Sequence, residues 1–242
     1  MPPPPAAPAR PRLTGISSMA TRAVLAELAS AYSNTTAHTA AGADVAIESV
    51  GGVDAARRVQ AGEPFDLVVL AADAIDRLIA SGQVQAGSRV DLVHSGVAVA
   101  VRRGSPAPAL HSEDAVRQAV LAASSIGYST GPSGVQLCRL FDRWGISAQL
   151  QGRLLQAPPG VPVATLVARG EVALGFQQLS ELLHADGISV VGPLPPAIQI
   201  NTTFSAGLCS ASAQAAAVQQ LLTFLRSAAA AAVYLRHGMT PA

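Results

Sequence analysis

A chain of 242 residues can hold one large domain or two small lobes, and with half of it hydrophobic it has material for a sizeable core. Only 13% of its residues are charged and the formal net charge is +1, which excludes the dense basic surface of a nucleic-acid-binding protein. All sixteen basic residues are arginine, so Schiff-base chemistry and the Walker phosphate loop, which both need lysine, are excluded as well.

Residues 1–12 are rich in proline and alanine, carry Arg10 and Arg12, and predict a disordered tail. They lack an apolar run of the roughly 7–15 residues of a secretory signal, as expected of a cytoplasmic protein, or of a periplasmic one whose signal was removed. No run of about 18 apolar residues is available for membrane insertion. A short strand over 13–16 ends at Ser17-Ser18, and Val24, Leu25, Leu28 and Tyr32 recur at helical spacing over 19–33. Alternation over 44–50 predicts a half-buried strand running into Gly51-Gly52, followed by a short helix over 53–60. Residues 65–71 are almost continuously apolar, the pattern of a strand buried on both faces, and Asp73 is placed to cap a helix over 74–79.

Residues 89–102 are long, β-branched and interrupted by Gly96, so they read as two strands or as one that crosses between lobes. The βα rhythm then restarts with helix 113–122, strand 125–128, helix 134–144 and strand 154–156. Helix 163–168, strand 172–177, helix 179–183 and strand 188–191 follow. A second extended stretch, 197–208, mirrors the first, and one helix over 213–236 closes the chain. Two long stretches bracketing a complete βα set predict an α/β chain of two lobes with two crossing strands as hinge. The first lobe comprises 13–97 and 200–242, and the second, inserted, comprises 98–199.

Several strands deliver small or hydroxyl residues straight to a helix start, where free N–H groups attract an anion, although serine there also serves as a plain cap. Ser17 and Ser18 form the first such turn, and Gly51 and Gly52 the second. Tyr128-Ser129-Thr130-Gly131-Pro132-Ser133-Gly134-Val135 is the sharpest segment. Gly131 and Gly134 let the backbone approach a ligand closely, while Ser129, Thr130 and Ser133 add hydroxyls. Its spacing fits neither a phosphate loop nor the G-x-S-x-G elbow of hydrolases. In the rigid loop 157–162, prolines leave Gly160 and Val161 as N–H donors, and Gln177-Gln178 end a strand with two amides suited to an oxygen-rich ligand. Arg22, early in the first helix, is placed to pair with a carboxylate or to stay solvated.

Asp73 and His94 are the candidate catalytic bases, against a helix cap and an ordinary strand histidine as the alternatives. His38, His111, His184 and His237 show no ligand spacing, so no metal and no cofactor is expected. Cys138 and Cys209 match no metal pattern and read as buried inert thiols, with a disulfide left open.

Taken together, these turns resemble the molybdate-binding-protein branch of the type II periplasmic binding proteins, over nearly the whole chain after Leu13. Ser17-Ser18-Met19 stand where that family ends its first strand, 49–52 match its serine–glycine turn, and Ala72-Asp73 match its alanine–aspartate pair. Residues 167–176 look like the segment ahead of its last ligand turn. The resemblance implies a monomer whose inter-lobe cleft closes on a small anion, held by hydroxyls and N–H groups, and which serves an ABC-transporter permease. Gln177-Gln178 replace the tyrosine common at that last turn, and the 129–134 loop is richer in hydroxyl and glycine, which leaves room for a larger carboxylate ligand. Some relatives similar to this branch are isomerases of aconitate, so isomerisation of a small polycarboxylate is the second expectation. A cytoplasmic anion sensor is the third, because effector domains of LysR-type regulators share the fold.

Overall fold

The computed structural model describes residues 10–36 and 42–242; residues 1–9 of the expected tail, and His38, lie outside them. Arg10 and Arg12 correct the extent of that tail. Arg10 donates to the carbonyls of Ser33 and Ala43, and Arg12 opens the first strand, because pairing with β2 begins there.

Strands β1 (Arg12–Ser18), β2 (Asp44–Val50) and β3 (Leu67–Ala71) run parallel in the order β2-β1-β3. A 3-10 turn (Met19–Thr21) joins β1 to α1 (Arg22–Thr35), while α2 (Gly52–Gln60) follows β2 and α3 (Ala72–Ala80) follows β3. β4 (Val90–Arg102) is a single strand of 13 residues. Beyond it come α4 (Glu113–Ala122), β5 (Ile126–Tyr128), α5 (Pro132–Arg143) and β6 (Leu154–Gln156). Next are α6 (Val163–Ala168), β7 (Leu174–Gln178), α7 (Leu179–Leu182) and β8 (Ile188–Pro193). The chain returns through β9 (Asn201–Leu208) and ends in α8 (Ala215–Leu225), α9 (Ala228–Arg236) and β10 (Met239–Pro241).

Strand alternation sorts the core into four clusters, two for each lobe. In β3, Leu67 and Val69 join Leu13 and Leu25, while Val68 and Leu70 join Ile16 and Ile75 on the other face. In the second lobe Val97, Val99 and Val101 join Ile126 and Phe141, whereas Ala98 and Ala100 join Val163 and Val167. Small residues on this last face bring α6 close to the sheet: a Cβ on Gly175 would stand 2.4 Å from the Val167 side chain.

β4 makes the first crossing. Its 90–96 half pairs with β9, and its 97–102 half pairs with β7 and β8. The second crossing is shorter than the extended stretch expected over 197–208, because a 3-10 turn (Pro196–Ile198) precedes β9. The two crossings are tied together: Val97 N–H donates to Gln199 Oε1 at 3.0 Å, and Leu194 N–H donates to the Val97 carbonyl. Position 96 sits close to this tie, since a Cβ there would fall 2.9 Å from Gln199 Nε2 and would push that side chain aside.

The single helix expected over 213–236 is two helices bent by 63°. Ser227 stops the first and caps the second by accepting from Ala230 N–H, and buried Tyr234 donates to the Leu225 carbonyl at 2.9 Å. Among the described residues no single helix is long and apolar enough to cross a membrane. The outcome is a two-lobed α/β fold with a cleft where the lobes face each other.

Candidate functional site

A cavity of about 370 Å³ lies between the lobes. Ser18, Gly52, Thr202 and Phe204 reach it from the first lobe, and Ser129, Gly131, Ser133, Gln178 and Glu181 from the second. Three helices begin at its wall: α2 behind Gly51, α3 behind Ala71 and α5 behind Gly131. Among the described residues no side chain caps any of these three. Away from the cavity, α4 and α9 are capped by Ser112 and Ser227, whereas α8 starts without a side-chain cap. An uncapped start leaves N–H groups free at the positive end of the helix dipole, which suits an anion.

The α5 turn exists because position 134 is glycine. A Cβ there would stand 1.9 Å from the Ser129 carbonyl oxygen, and this close approach sets the Ser129 and Ser133 hydroxyls 3.2 Å apart at the wall. Arg57 and Arg77 also reach the cavity, but both are exposed and already paired, with Asp54 at 2.8 Å and with Asp73 at 2.9 Å. Gln178 donates through Nε2 to Thr202 Oγ1 at 2.8 Å, and among the described residues nothing donates to its buried Oε1.

Glu181 is the acidic residue of the wall. Gln177 Nε2 donates to its Oε1 at 2.8 Å. Burial pushes its carboxyl up to about 7, and the Gln177 hydrogen bond opposes that rise. Glu181 and Met19 also face a second inter-lobe cavity of about 600 Å³, shared with Arg22, Arg169 and His184. Behind it His184 Nε2 lies 2.9 Å from His237 Nδ1, and His237 Nε2 lies 2.8 Å from Glu27, which also pairs with Arg236.

Of the residues picked from the sequence, the structure brings Ser18, Gly52, Ser129, Gly131, Ser133 and Gln178 to the cavity wall. Ser17 is fully buried behind it, because the β1–β2 register sets its Oγ 2.8 Å from that of Ser49. Thr130 and Gly134 belong to the α5 turn without lining the cavity, and Gly51 is the N-cap of α2. A Cβ on Gly51 would meet Gly160 N at 3.5 Å, so the loop carrying Gly160 and Val161 approaches the α2 turn from the opposite lobe but stays out of the wall. Arg22 lines the second cavity instead. Gln177 stands behind the wall, its Oε1 accepting from Ala164 N–H and its Nε2 spent on Glu181.

Neither candidate base reaches the cleft. α3 starts two residues earlier than expected, so Ala71 is its N-cap and Asp73 points outward to Arg77. His94 is held on the β4–β9 pair, with Nδ1 2.9 Å from Thr203 Oγ1. The acid in the wall, Glu181, is not among the residues that the turns single out; its signal in the sequence is a lone carboxylate in the apolar turn Leu179-Ser180-Glu181-Leu182-Leu183. Both cysteines are free; burial raises the Cys138 thiol and pushes that of Cys209 up to about 12. Among the described residues no cluster of histidine, cysteine and carboxylates is arranged to hold a metal ion.

Residues 13–240 match the family of bacterial extracellular solute-binding proteins. The chain is 42% identical over 185 residues to an aconitate isomerase from Pseudomonas sp, covering 76% of this chain and 70% of that protein. Among solved structures it is similar to the periplasmic molybdate-binding protein of Azotobacter vinelandii, with a TM-score of 0.78 at 21% identity over 94% of this chain and 98% of that one. It is likewise similar to the sulfate-binding protein of Mycobacterium tuberculosis, with a TM-score of 0.76 at 16% identity over 96% and 87%.

Proposed function

We propose that this chain, which belongs to the bacterial extracellular solute-binding proteins, closes its cleft on a small polycarboxylate and isomerises it by moving one proton. In this reading residues 13–97 and 200–242 form one jaw and 98–199 the other, and the working unit is a monomer in the periplasm. The observation that carries it is Glu181, a carboxyl poised near 7 in the wall of an anion-binding cleft. A transport protein needs donors for its ligand; an ionised carboxylate in the wall repels an anion, whereas a carboxyl that exchanges a proton near neutral pH suits a base. The likeness to an aconitate isomerase supports the same substrate class.

In an aconitate-like substrate a CH2 and a vinylic CH flank one carbon that bears a carboxylate. Ionised Glu181 takes a proton from the CH2: the C–H bond breaks, an O–H bond forms on Glu181, and the electron pair spreads over the allyl unit into the neighbouring carboxylate. The same carboxyl returns the proton to the former vinylic carbon, and the double bond re-forms in the shifted position with either geometry. A base near 7 is matched to such a transfer at neutral pH. The free N–H groups of α2, α3 and α5 and the hydroxyls of Ser129 and Ser133 hold the carboxylates and the charge that builds during the step.

Simple binding of an anion for an ABC transporter is the second reading, favoured by the uncapped helix starts and by the family. Proton NMR of cis-aconitate with the protein in D2O separates the two. Appearance of the trans isomer supports the isomerase, with deuterium in its CH2 to the extent that the proton on Glu181 exchanges with D2O before it is returned, and unchanged substrate leaves the binding reading alone. A thermal-shift panel with molybdate, tungstate, sulfate, phosphate, citrate and both aconitates then names the ligand class, since saturation at 100 times Kd stabilises by about 2.7 kcal/mol, or roughly 5–10 °C.

A further inference from the structure

We infer that Gln177, which takes no part in the cleft wall, is a positioning residue that holds Glu181 in its ionisable state and chooses the oxygen it turns to the substrate. The inference rests on Glu181 as the base proposed above.

Gln177 is the penultimate residue of β7 and is 3% exposed. Its two amide ends do different work. Oε1 accepts from Ala164 N–H at 3.0 Å in the first turn of α6, and Nε2 donates to Glu181 Oε1 at 2.8 Å. The backbone N–H of Ala164 can only donate, so it fixes the amide oxygen towards α6 and the NH2 group towards Glu181. Turning the amide over would set donor against donor at Ala164 and oxygen against carboxylate at Glu181, so the main chain locks the orientation.

Two consequences follow for Glu181. With one lone pair of Oε1 engaged by Gln177, Oε2 is the less encumbered oxygen and the one assigned to the substrate proton. The donated hydrogen bond also favours the ionised carboxylate, against the burial that disfavours it. Other charged groups share its two cavities: Arg22 from α1, Arg57 from α2, Arg77 from α3, Arg169 after α6, and His184 and Asp186 after α7. Among the described residues none of them forms an ion pair with Glu181, and Gln177 is its hydrogen-bond partner. Without Gln177 the carboxyl keeps the burial and loses the one contact that offsets it.

The test is a direct titration of the Glu181 carboxyl by infrared difference spectroscopy, using Glu181→Gln to identify its band, in the natural chain and in Gln177→Met. Methionine matches the length of glutamine and keeps the site apolar, and Gln177→Glu serves as a second variant should methionine fail to fold. The expected result is a higher midpoint in Gln177→Met. In that variant the acid limb of kcat follows the midpoint, so turnover falls about 3–10-fold at pH 6 and recovers to within about twofold at pH 9. Affinity for propane-1,2,3-tricarboxylate, which cannot isomerise, stays unchanged at pH 9. In Gln177→Glu two carboxyls face each other and share a proton, so the upper apparent midpoint of the pair rises above that of the natural chain. An unshifted midpoint, or a loss of turnover equal at every pH, overturns the inference. If the natural chain turns over no substrate the isomerase reading fails, while the titration still decides what Gln177 does.

Discussion

Glu181 and Glu27 stand on opposite sides of the junction of the lobes, and their surroundings push them in opposite directions. Glu181, in the front cleft, has a single amide for a partner, and burial raises its carboxyl to about 7. Glu27, at the rear, accepts hydrogen bonds from His237 and Arg236, which hold its carboxyl below the usual range. The first can gain or lose a proton at neutral pH; the second stays ionised and acts as a fixed strut. Whether the same side chain can exchange a proton at neutral pH thus depends on whether burial or a cation dominates around it.

The strongest way to break this contrast is Glu181→Gln. Removing a general base costs typically 10²–10⁴-fold, so kcat for aconitate is expected to fall by about that factor. Binding of propane-1,2,3-tricarboxylate, measured by calorimetry, is expected to hold or to tighten, because the amide removes a negative charge from the wall. An equal loss of binding and turnover would make Glu181 a ligand-holding residue instead.

Gly134→Ala attacks the donors rather than the base. A Cβ 1.9 Å from the Ser129 carbonyl forces the α5 turn apart. Overpacking of this kind costs about 1–3 kcal/mol, or roughly 5 °C of Tm for a chain this size. Ligand-induced stabilisation in a thermal scan is expected to shrink with it. A variant that loses Tm yet keeps its full ligand shift would show that the Ser129–Ser133 pair is dispensable.

These positions differ in how openly the sequence announces them. Strand 44–50, helices 113–122 and 163–168 and strand 154–156 carry their period and their boundaries in the order of residues alone. The hydroxyl and glycine turns announce Ser18, Gly52, Ser129, Gly131 and Ser133, because helix starts and close backbone approach are local matters. Glu181, Thr202 and Phe204 are not announced, since β9 and α7 meet at the cleft only through the crossing strands. Asp73 and His94 mislead for a local reason: one register or one helix turn decides whether such a side chain faces the cleft, and α3 begins two residues before the expected start. Ser227 shows the same limit, as it breaks an alanine-rich run whose composition reads as one helix.

A subtler check on the contrast uses stability. The folded-state carboxyl of Glu181 is raised from 4.5 to about 7, so the folded protein binds the proton more tightly than the unfolded chain. Stability therefore falls as pH rises between those two values and stays low above them. The full penalty is at most about 3 kcal/mol, and less where the side chain opens to the cleft. Glu181→Gln is expected to leave Tm unchanged near pH 4.5 and to raise it by a few degrees at pH 8. A Tm difference independent of pH would place the effect in packing rather than in ionisation.

The smallest effect belongs to Glu27→Gln, and its sign is opposite. A lowered carboxyl contributes stability that is present above its ordinary value of 4.5 and lost as pH falls through the folded value. The contact is largely exposed, with the Glu27 side chain 42% accessible, so the loss at pH 7 is expected to be about 1–2 °C and to vanish in acid. The strut also reaches further than its own pair. With neutral rings, Glu27 accepts the Nε2 proton of His237, which leaves His237 Nδ1 to accept from His184 Nε2 at 2.9 Å across the two lobes. Glu27→Gln removes the charge that favours this tautomer, so part of its cost should arise at His184. A double-mutant cycle of Glu27→Gln with His184→Ala is expected to give a coupling of about 0.5 kcal/mol. Strict additivity would confine Glu27 to the first lobe and leave α7 held by apolar packing, through Leu179 and Leu183 against Gly238.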